Sequence, residues 1–246
     1  MIVEQIVAKM TNASKSFGKQ QVLDGITLQL AAGTILGLIG PSGAGKSTTI
    51  KCLLGIEKLD QGVVETFDTR MPNRKILNRI GYMGQSDALY NELTGKENLV
   101  FFGQLMGLDT KTLADAITKN SQLVDLTAAL DKPVNQYSGG MKRRLSLAIT
   151  LLANPDLLIL DEPTVGIDPS LRVTIWQQLR ALANQDKGII VTTHVMDEAE
   201  KCDVIGLIIE GHLFAYGTPA ALKEQFHATS IEEVFLKAEV HQHDSI

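Results

Sequence analysis

The sequence predicts an α/β fold with a mostly parallel sheet, an N-terminal antiparallel β subdomain and an inserted α-helical subdomain. Three observations carry this. Continuous apolar runs at Ile35–Ile39, Leu157–Leu160, Ile189–Thr193 and Val204–Ile209 are short and bounded by turn residues, as strands buried on both faces are. Longer helix-like segments lie between these runs, which suits parallel strands joined by crossovers. A glycine-rich stretch from Gly40 to Thr48 follows the first run directly.

Taken in order, Val3–Ala8 and Ile26–Leu30 read as separate strands linked by turn residues. Ile35–Ile39 is the first buried strand, and a helix follows through Thr49, Ile50, Leu53 and Leu54. Between Leu93 and Leu130 the pattern turns helical: Leu99, Phe102 and Leu105–Met106 recur at helical spacing, then Leu113, Ile117, Leu123 and Leu126. Leu145, Ala148 and Leu152 mark one face of a further helix. Leu207–Tyr216, folded back around Glu210-Gly211, reads as a late hairpin. The expected organisation is one domain over 1–246, with a helical lobe at roughly 86–140 and a C-terminal tail at 218–246.

Composition narrows the function. A hydrophobic fraction of 44% and a charged fraction of 21% over 246 residues are ordinary for a globular chain with a core. The net charge of -5 gives no global basic field, so no nucleic-acid partner is expected. Cys52 and Cys202 lie far apart with no C-x-x-C pattern, which argues against a metal cluster or disulfide framework and for two packed, reduced thiols. The opening MIVEQIV carries an acidic residue where an export signal has its basic region. No apolar run approaches the ~18–20 residues of a membrane span, since Val204–Ile209 is stopped by Glu210 and Gly211. Work at a membrane would need an anchoring partner.

Gly40-Pro41-Ser42-Gly43-Ala44-Gly45-Lys46-Ser47 matches G-x-x-x-x-G-K-[ST], and Thr48 follows. In a chain of this length the pattern arises by chance on the order of once in a hundred. Its place between a buried strand and a helix lowers that further. Glycines let the backbone wrap phosphates with N–H groups inward, and the helix start adds its positive dipole end. Lys46 would reach the β- and γ-phosphates, and Ser47 would offer its hydroxyl to Mg²⁺. This defines a P-loop NTPase core.

Asp161 and Glu162 stand at the C-terminal end of Leu157–Leu160, the edge where doubly wound sheets bind ligands. Carboxylates placed there need a partner. Asp161 would hold Mg²⁺ through water, and Glu162 would polarise the attacking water. As a pair alone, Asp-Glu is also a common solvent-facing loop start. Farther upstream, Ser138 before Gly139-Gly140 suits a helix N-cap whose exposed N–H groups form a second anion site, although a well-capped helix accounts for the same residues.

In this order the motifs resemble those of ATP-binding cassette (ABC) ATPases over nearly the whole chain. GPSGAGKST resembles the Walker A loop, Gln85 the Q-loop glutamine, YSGGM the signature and LLILDE the Walker B strand. Val165-Gly166-Ile167-Asp168 resembles the D-loop and His194 the switch histidine, while Phe17 stands where the family has an adenine-stacking aromatic. Tyr137 and Met141 replace the usual Leu and Gln, and Gly84 replaces a frequent Pro. The YSGGM form, Ala88–Thr94 and SIEEVFL (Ser230–Leu236) are similar to exporter-type members that handle drugs, antibiotics or lipids.

The resemblance implies an ATPase subunit on the cytoplasmic face of a membrane, held there by a separate permease. It implies a head-to-tail homodimer or a pair with another ABC subunit. Ser138, Gly139 and Gly140 would meet the γ-phosphate bound to the partner, and Asp168 would link the two sites. Gln85 would touch Mg²⁺ and the water, and His194 would contact the γ-phosphate. The groove around Gln85 would receive the permease. The competing readings are a soluble assembly ATPase, as in iron–sulfur cluster biogenesis, and a nucleotide-binding regulator without turnover. The remaining histidines match no motif, and His241 and His243 sit in a polar tail expected to be loose.

Overall fold

Strand β1 (Ile6–Phe17) and strand β2 (Gln20–Ala31) bury Val7, Ala8, Met10, Ala13, Leu23, Ile26, Leu28 and Leu30, and the two-residue turn Gly18-Lys19 closes them into an antiparallel hairpin. The computed structural model describes residues 5–243. After the hairpin come β3 (Ile35–Ile39), helix α1 (Lys46–Leu53), β4 (Gln61–Thr66) and the short β5 (Thr69–Arg70). A second stretch contributes β6 (Ile80–Met83), α2 (Gly95–Leu105), α3 (Thr110–Leu123), α4 (Gly139–Thr150), β7 (Leu157–Asp161) and α5 (Pro169–Ala183). The chain closes with β8 (Gly188–Thr192), α6 (Met196–Ala199), β9 (Val204–Ile209), β10 (His212–Gly217), α7 (Pro219–Gln225) and α8 (Ile231–His243).

These elements fall into two compact units. One holds the residues up to Arg74 together with those from Gly188 onward, and the other spans Lys75–Lys187. In the first unit, β2, β1, β4 and β5 form an antiparallel sheet in that order. Strand β3 pairs in parallel with β8 on one side and with β9 on the other, and β10 returns antiparallel along β9. Every residue of β3 and β8 is buried, as expected of strands covered on both faces.

In the second unit, β6 and β7 run parallel, from Ile80 opposite Leu157 to Met83 opposite Leu160. Helices α2, α3 and α4 pack on one another, and α4 also lies on β6. Each helix start is chemically specified. Thr94 and Glu97 make a capping box for α2, Asp109 caps α3, Ser138 caps α4, and Asp168 caps α5 ahead of Pro169 at its first turn.

Several expectations shift on contact with the structure. The first strand runs from Ile6 to Phe17, well past Ala8, while Val3 and Glu4 lie outside the described residues. Leu99 is fully buried, but Leu105 and Met106, at the end of α2, are exposed and line a cleft. Strands β4, β5 and β6 carry no long apolar run, so the sequence does not mark them. Helix α8 continues to His243, because Ile231, Val234 and Ala238 recur at helical spacing and are fully buried. The side chains of His241 and His243 and the final residues 244–246 lie outside the described part.

Candidate functional site

In the first unit the phosphate loop is shaped by backbone packing. Gly40 has φ 151, and a Cβ on it would lie 2.0 Å from the Ile208 carbonyl oxygen, so only glycine fits. Gly45, at φ 109, is the N-cap of α1, and a Cβ there would stand 2.8 Å from Leu23 Cδ2 and 2.9 Å from the Val22 carbonyl oxygen. The N–H of Gly211, in the β9–β10 turn, donates to the Ala44 carbonyl at 3.0 Å. Ala44 N–H in turn donates to Pro41 O at 3.2 Å. No side chain caps α1, so its first N–H groups stay available to an anion.

Lys46 is buried, and its Nζ donates to the carbonyls of Gly40 at 2.7 Å and Pro41 at 2.8 Å. The ammonium is thus folded over the loop it would serve. Ser42 and Gly43 are exposed at the loop's outer turn, with Ser47 and Thr48 half-buried behind it. A glycine-lined cradle, an uncapped helix start, an ammonium and paired hydroxyls are the donor set a nucleotide phosphate with Mg²⁺ requires.

His194 follows β8 and is exposed. Its neighbours are pinned: the Thr193 hydroxyl donates to the fully buried Glu198 carboxylate at 2.8 Å and accepts the Val195 N–H at 3.0 Å. Phe17 ends β1 and is 47% exposed, with Lys15 Nζ 5.0 Å from its ring centroid. It is open enough for a flat ligand to stack on.

In the second unit, Asp161 is buried at the end of β7. Glu162 follows with φ 53, a left-handed conformation that costs a non-glycine residue about 1–2 kcal/mol. Such strain persists only where surrounding bonds hold it. Among the holders, beside the Val165 N–H that donates to the Glu162 carbonyl at 3.4 Å, is Arg143, on α4. Its Nε and Nη2 donate to the Glu162 carbonyl at 3.1 and 2.9 Å, Nη2 also donates to the Asp161 carbonyl, and Nη1 reaches Gly84 O at 2.6 Å and Gln85 O at 3.2 Å. Gln85 itself is exposed, two residues past the end of β6.

Arg143, in the run Lys142-Arg143-Arg144, is a functional residue that the motifs do not single out. Each member is spoken for. Lys142 donates to Asn91 Oδ1 at 2.9 Å, and Arg144 donates to the carbonyls of Val124 at 3.2 Å and Asp125 at 2.8 Å. The available signal was helical spacing. Arg143 precedes Leu147 by four residues and Thr150 by seven, which marks a second buried stripe on α4 beside the expected one.

Ser138 accepts the Met141 N–H at 3.2 Å, so the signature helix start is self-capped. A Cβ on Gly139 would meet nothing within 4 Å, whereas a Cβ on Gly140 would lie 2.6 Å from the Gly166 carbonyl oxygen. Gly140 therefore packs directly on the turn that leads to Asp168. Asp168 accepts from Leu171 N–H at 3.0 Å and Ser170 Oγ at 2.7 Å, and these bonds hold its carboxyl below the ordinary range. Within the unit the structure thus gathers Gln85, Asp161 and Glu162 around Arg143, and the signature glycines against the Asp168 turn.

Beside Gly84 and Ser86 opens a cleft of about 510 Å³, lined by Leu77, Tyr82, Met83, Leu89, Phe102 and Leu105 among others. Tyr90 and Phe101 stack edge-on nearby, with ring centroids 4.8 Å apart, and both are exposed. Among the described residues no helix is long and apolar enough to cross a membrane.

A family model described as ABC transporter matches residues 23–165. The chain is 41% identical over 233 residues to the Nod factor export ATP-binding protein I of Sinorhizobium fredii (strain NBRC 101917 / NGR234), covering 94% of this chain and 68% of that protein. It is 39% identical over 236 residues to the protein of the same name from Rhizobium sp. (strain N33), covering 95% and 78%. Among solved structures, an ATP-binding subunit of an ABC transporter superposes with a TM-score of 0.88 at 26% identity, covering 95% of this chain and 99% of that one. A dimeric bacterial ABC transporter cassette shares the fold, with a TM-score of 0.79 at 23% identity over 86% of this chain and 98% of the other. The match to the family model and the length and level of these identities establish that the chain belongs to the ABC transporter family, whose ATP-binding proteins hydrolyse ATP.

Proposed function

We propose that the chain is the ATPase subunit of an export system, acting as a head-to-tail pair of cassettes beneath a separate membrane permease on the cytoplasmic face. The observation that carries the export reading is the 41% identity, across 94% of the chain, to a Nod factor export ATP-binding protein. The apolar cleft beside Gly84 and Ser86, walled by Leu89, Phe102 and Leu105, supplies a seat for the permease. The cargo pocket belongs to that permease.

In this reading Lys46 and the loop N–H groups bind the β- and γ-phosphates, Phe17 stacks on adenine, and Ser47, Gln85 and Asp161 hold Mg²⁺. A bound Mg²⁺ supplies charge neutralisation at the transferring phosphoryl group. Glu162 polarises the attacking water and His194 orients the γ-phosphate. Ser138, Gly139 and Gly140 serve the nucleotide held by the paired cassette, and Asp168 faces the pairing surface.

Affinity capture of the tagged chain from gently solubilised membranes tests the partner. A polytopic membrane protein in stable ratio is the expected outcome, and a soluble complex with no membrane protein would reassign the chain to a soluble assembly. For the chemistry, Glu162→Gln is expected to lower ATP turnover by about 10²–10⁴-fold while preserving ATP binding. Turnover at the wild-type rate would remove Glu162 from the role.

A further inference from the structure

Parallel strands β6 and β7 stop pairing at Met83 opposite Leu160. Immediately beyond that last rung the chain carries Gly84 and Gln85 on one strand and Asp161 and Glu162 on the other. Backbone carbonyls at the end of a ladder need donors wherever water does not supply them. One side chain reaches all four, and the Val165 N–H also donates to the Glu162 carbonyl at 3.4 Å. Arg143 is 5% exposed and directs its Nε, Nη1 and Nη2 at the carbonyls of Gly84, Gln85, Asp161 and Glu162. Its charge is answered by Asp87, whose Oδ1 lies 3.5 Å from Nη1 and also accepts the Ser146 hydroxyl at 2.8 Å.

We infer that Arg143 is a positioning residue for hydrolysis: a staple that fixes the backbone beneath Gln85 and Glu162 and ties both to the signature helix. Its guanidinium is spent on backbone carbonyls, so it acts through the two residues proposed to meet Mg²⁺ and the water. Only a planar guanidinium does this. Its fork of five N–H groups spans two strand ends, whereas a lysine ammonium offers three donors from one point and cannot reach both. The left-handed backbone of Glu162, φ 53, makes the restraint consequential, because a carbonyl released there lets the residue relax and swings its side chain. The tie to α4 is short: Arg143 lies five residues after the Ser138 cap.

This inference rests on Glu162 being the residue that polarises water, so the test separates the two. Purified full-length Arg143→Lys is compared with wild type, with Glu162→Gln and with the double variant, measuring ATP turnover, KM and the affinity of a fluorescent ATP analogue. The expected result is a kcat lowered by about 10-fold or more with KM and analogue affinity within about threefold, since a misplaced catalytic group costs rate and not ground-state binding. On the Glu162→Gln background the same substitution should add less than about twofold, because residues acting as a unit are non-additive. Wild-type kcat in Arg143→Lys, with Glu162→Gln inactive, overturns the staple and leaves the Glu162 role standing. Wild-type turnover in Glu162→Gln overturns that role first. An undiminished loss in the double variant shows that Arg143 acts elsewhere. Should Arg143→Lys not fold, Arg143→Gln is measured in its place, and failure of both to fold assigns Arg143 to stability alone.

Discussion

Two helix starts in this chain present glycines in the setting of an anion site, and they are built in opposite ways. At α1, Gly45 is the N-cap at φ 109 with no side-chain cap, and Gly40 is pressed against the Ile208 carbonyl. At α4, Ser138 caps the helix through the Met141 N–H, and Gly139 has open space around it. The first loop needs glycine because its own scaffold leaves no room for anything else. The second has a glycine that its own fold does not require. A helix position that could carry a better helix former, yet holds glycine facing open space, points to something outside the chain approaching closely. The first turn is shaped by its own scaffold, and on the proposed function the second is shaped by a ligand of the paired cassette.

The largest expected effect breaks the first half of that contrast. Gly40→Ala places a Cβ 2.0 Å from backbone that cannot swing aside, at a φ of 151 that alanine rarely adopts. The loop must distort. Affinity for ATP is expected to fall by about 100-fold or more, as several charge-assisted phosphate bonds are lost together, and fluorescence titration measures it. Wild-type affinity would show that the cradle's shape does not hold the phosphates.

Gly139→Ala sharpens the second half. No contact opposes the new methyl group, and alanine is the better helix former, so thermal stability should be kept or slightly raised. ATP turnover, however, should drop by about 10²-fold, the cost of blocking one transition-state donor. Retained turnover beside retained stability would return the signature turn to an ordinary capped helix.

Much of this was legible in the residues, for reasons that differ by element. Strands β3, β7, β8 and β9 announce themselves because burial on both faces demands unbroken apolar runs. Strand β6, Ile-Gly-Tyr-Met, does not, since its four residues include a glycine whose Cβ would strike Pro155 and the Thr150 carbonyl. The motif residues are visible because phosphate chemistry restricts their types and spacing. Arg143 is not visible in that way. Its partners are backbone carbonyls, which leave no mark on the residue types of Gly84, Gln85, Asp161 or Glu162, so only the fold reveals what it holds. The seat of the proposed permease lies between these cases: Phe102 reads as core from its spacing, and the structure turns it into the wall of a cleft.

The smallest effect divides the two duties of Ser138. As a cap it accepts a single backbone N–H, and Ser138→Ala should cost about 1 kcal/mol of stability. For a chain of this size that lowers Tm by about 2–4 °C. Ser138→Asp restores the cap, since aspartate ranks with serine at that position and adds favourable charge at a helix start. Its Tm should match or exceed wild type. If the turn also receives a phosphate, the same carboxylate repels it, and turnover in Ser138→Asp should fall below that of Ser138→Ala although its helix is the better capped. Equal turnover in the two would mean that Ser138 serves its own helix and nothing beyond it. Opposite orders of stability and activity are the signature of a helix start that also serves an anion outside the chain.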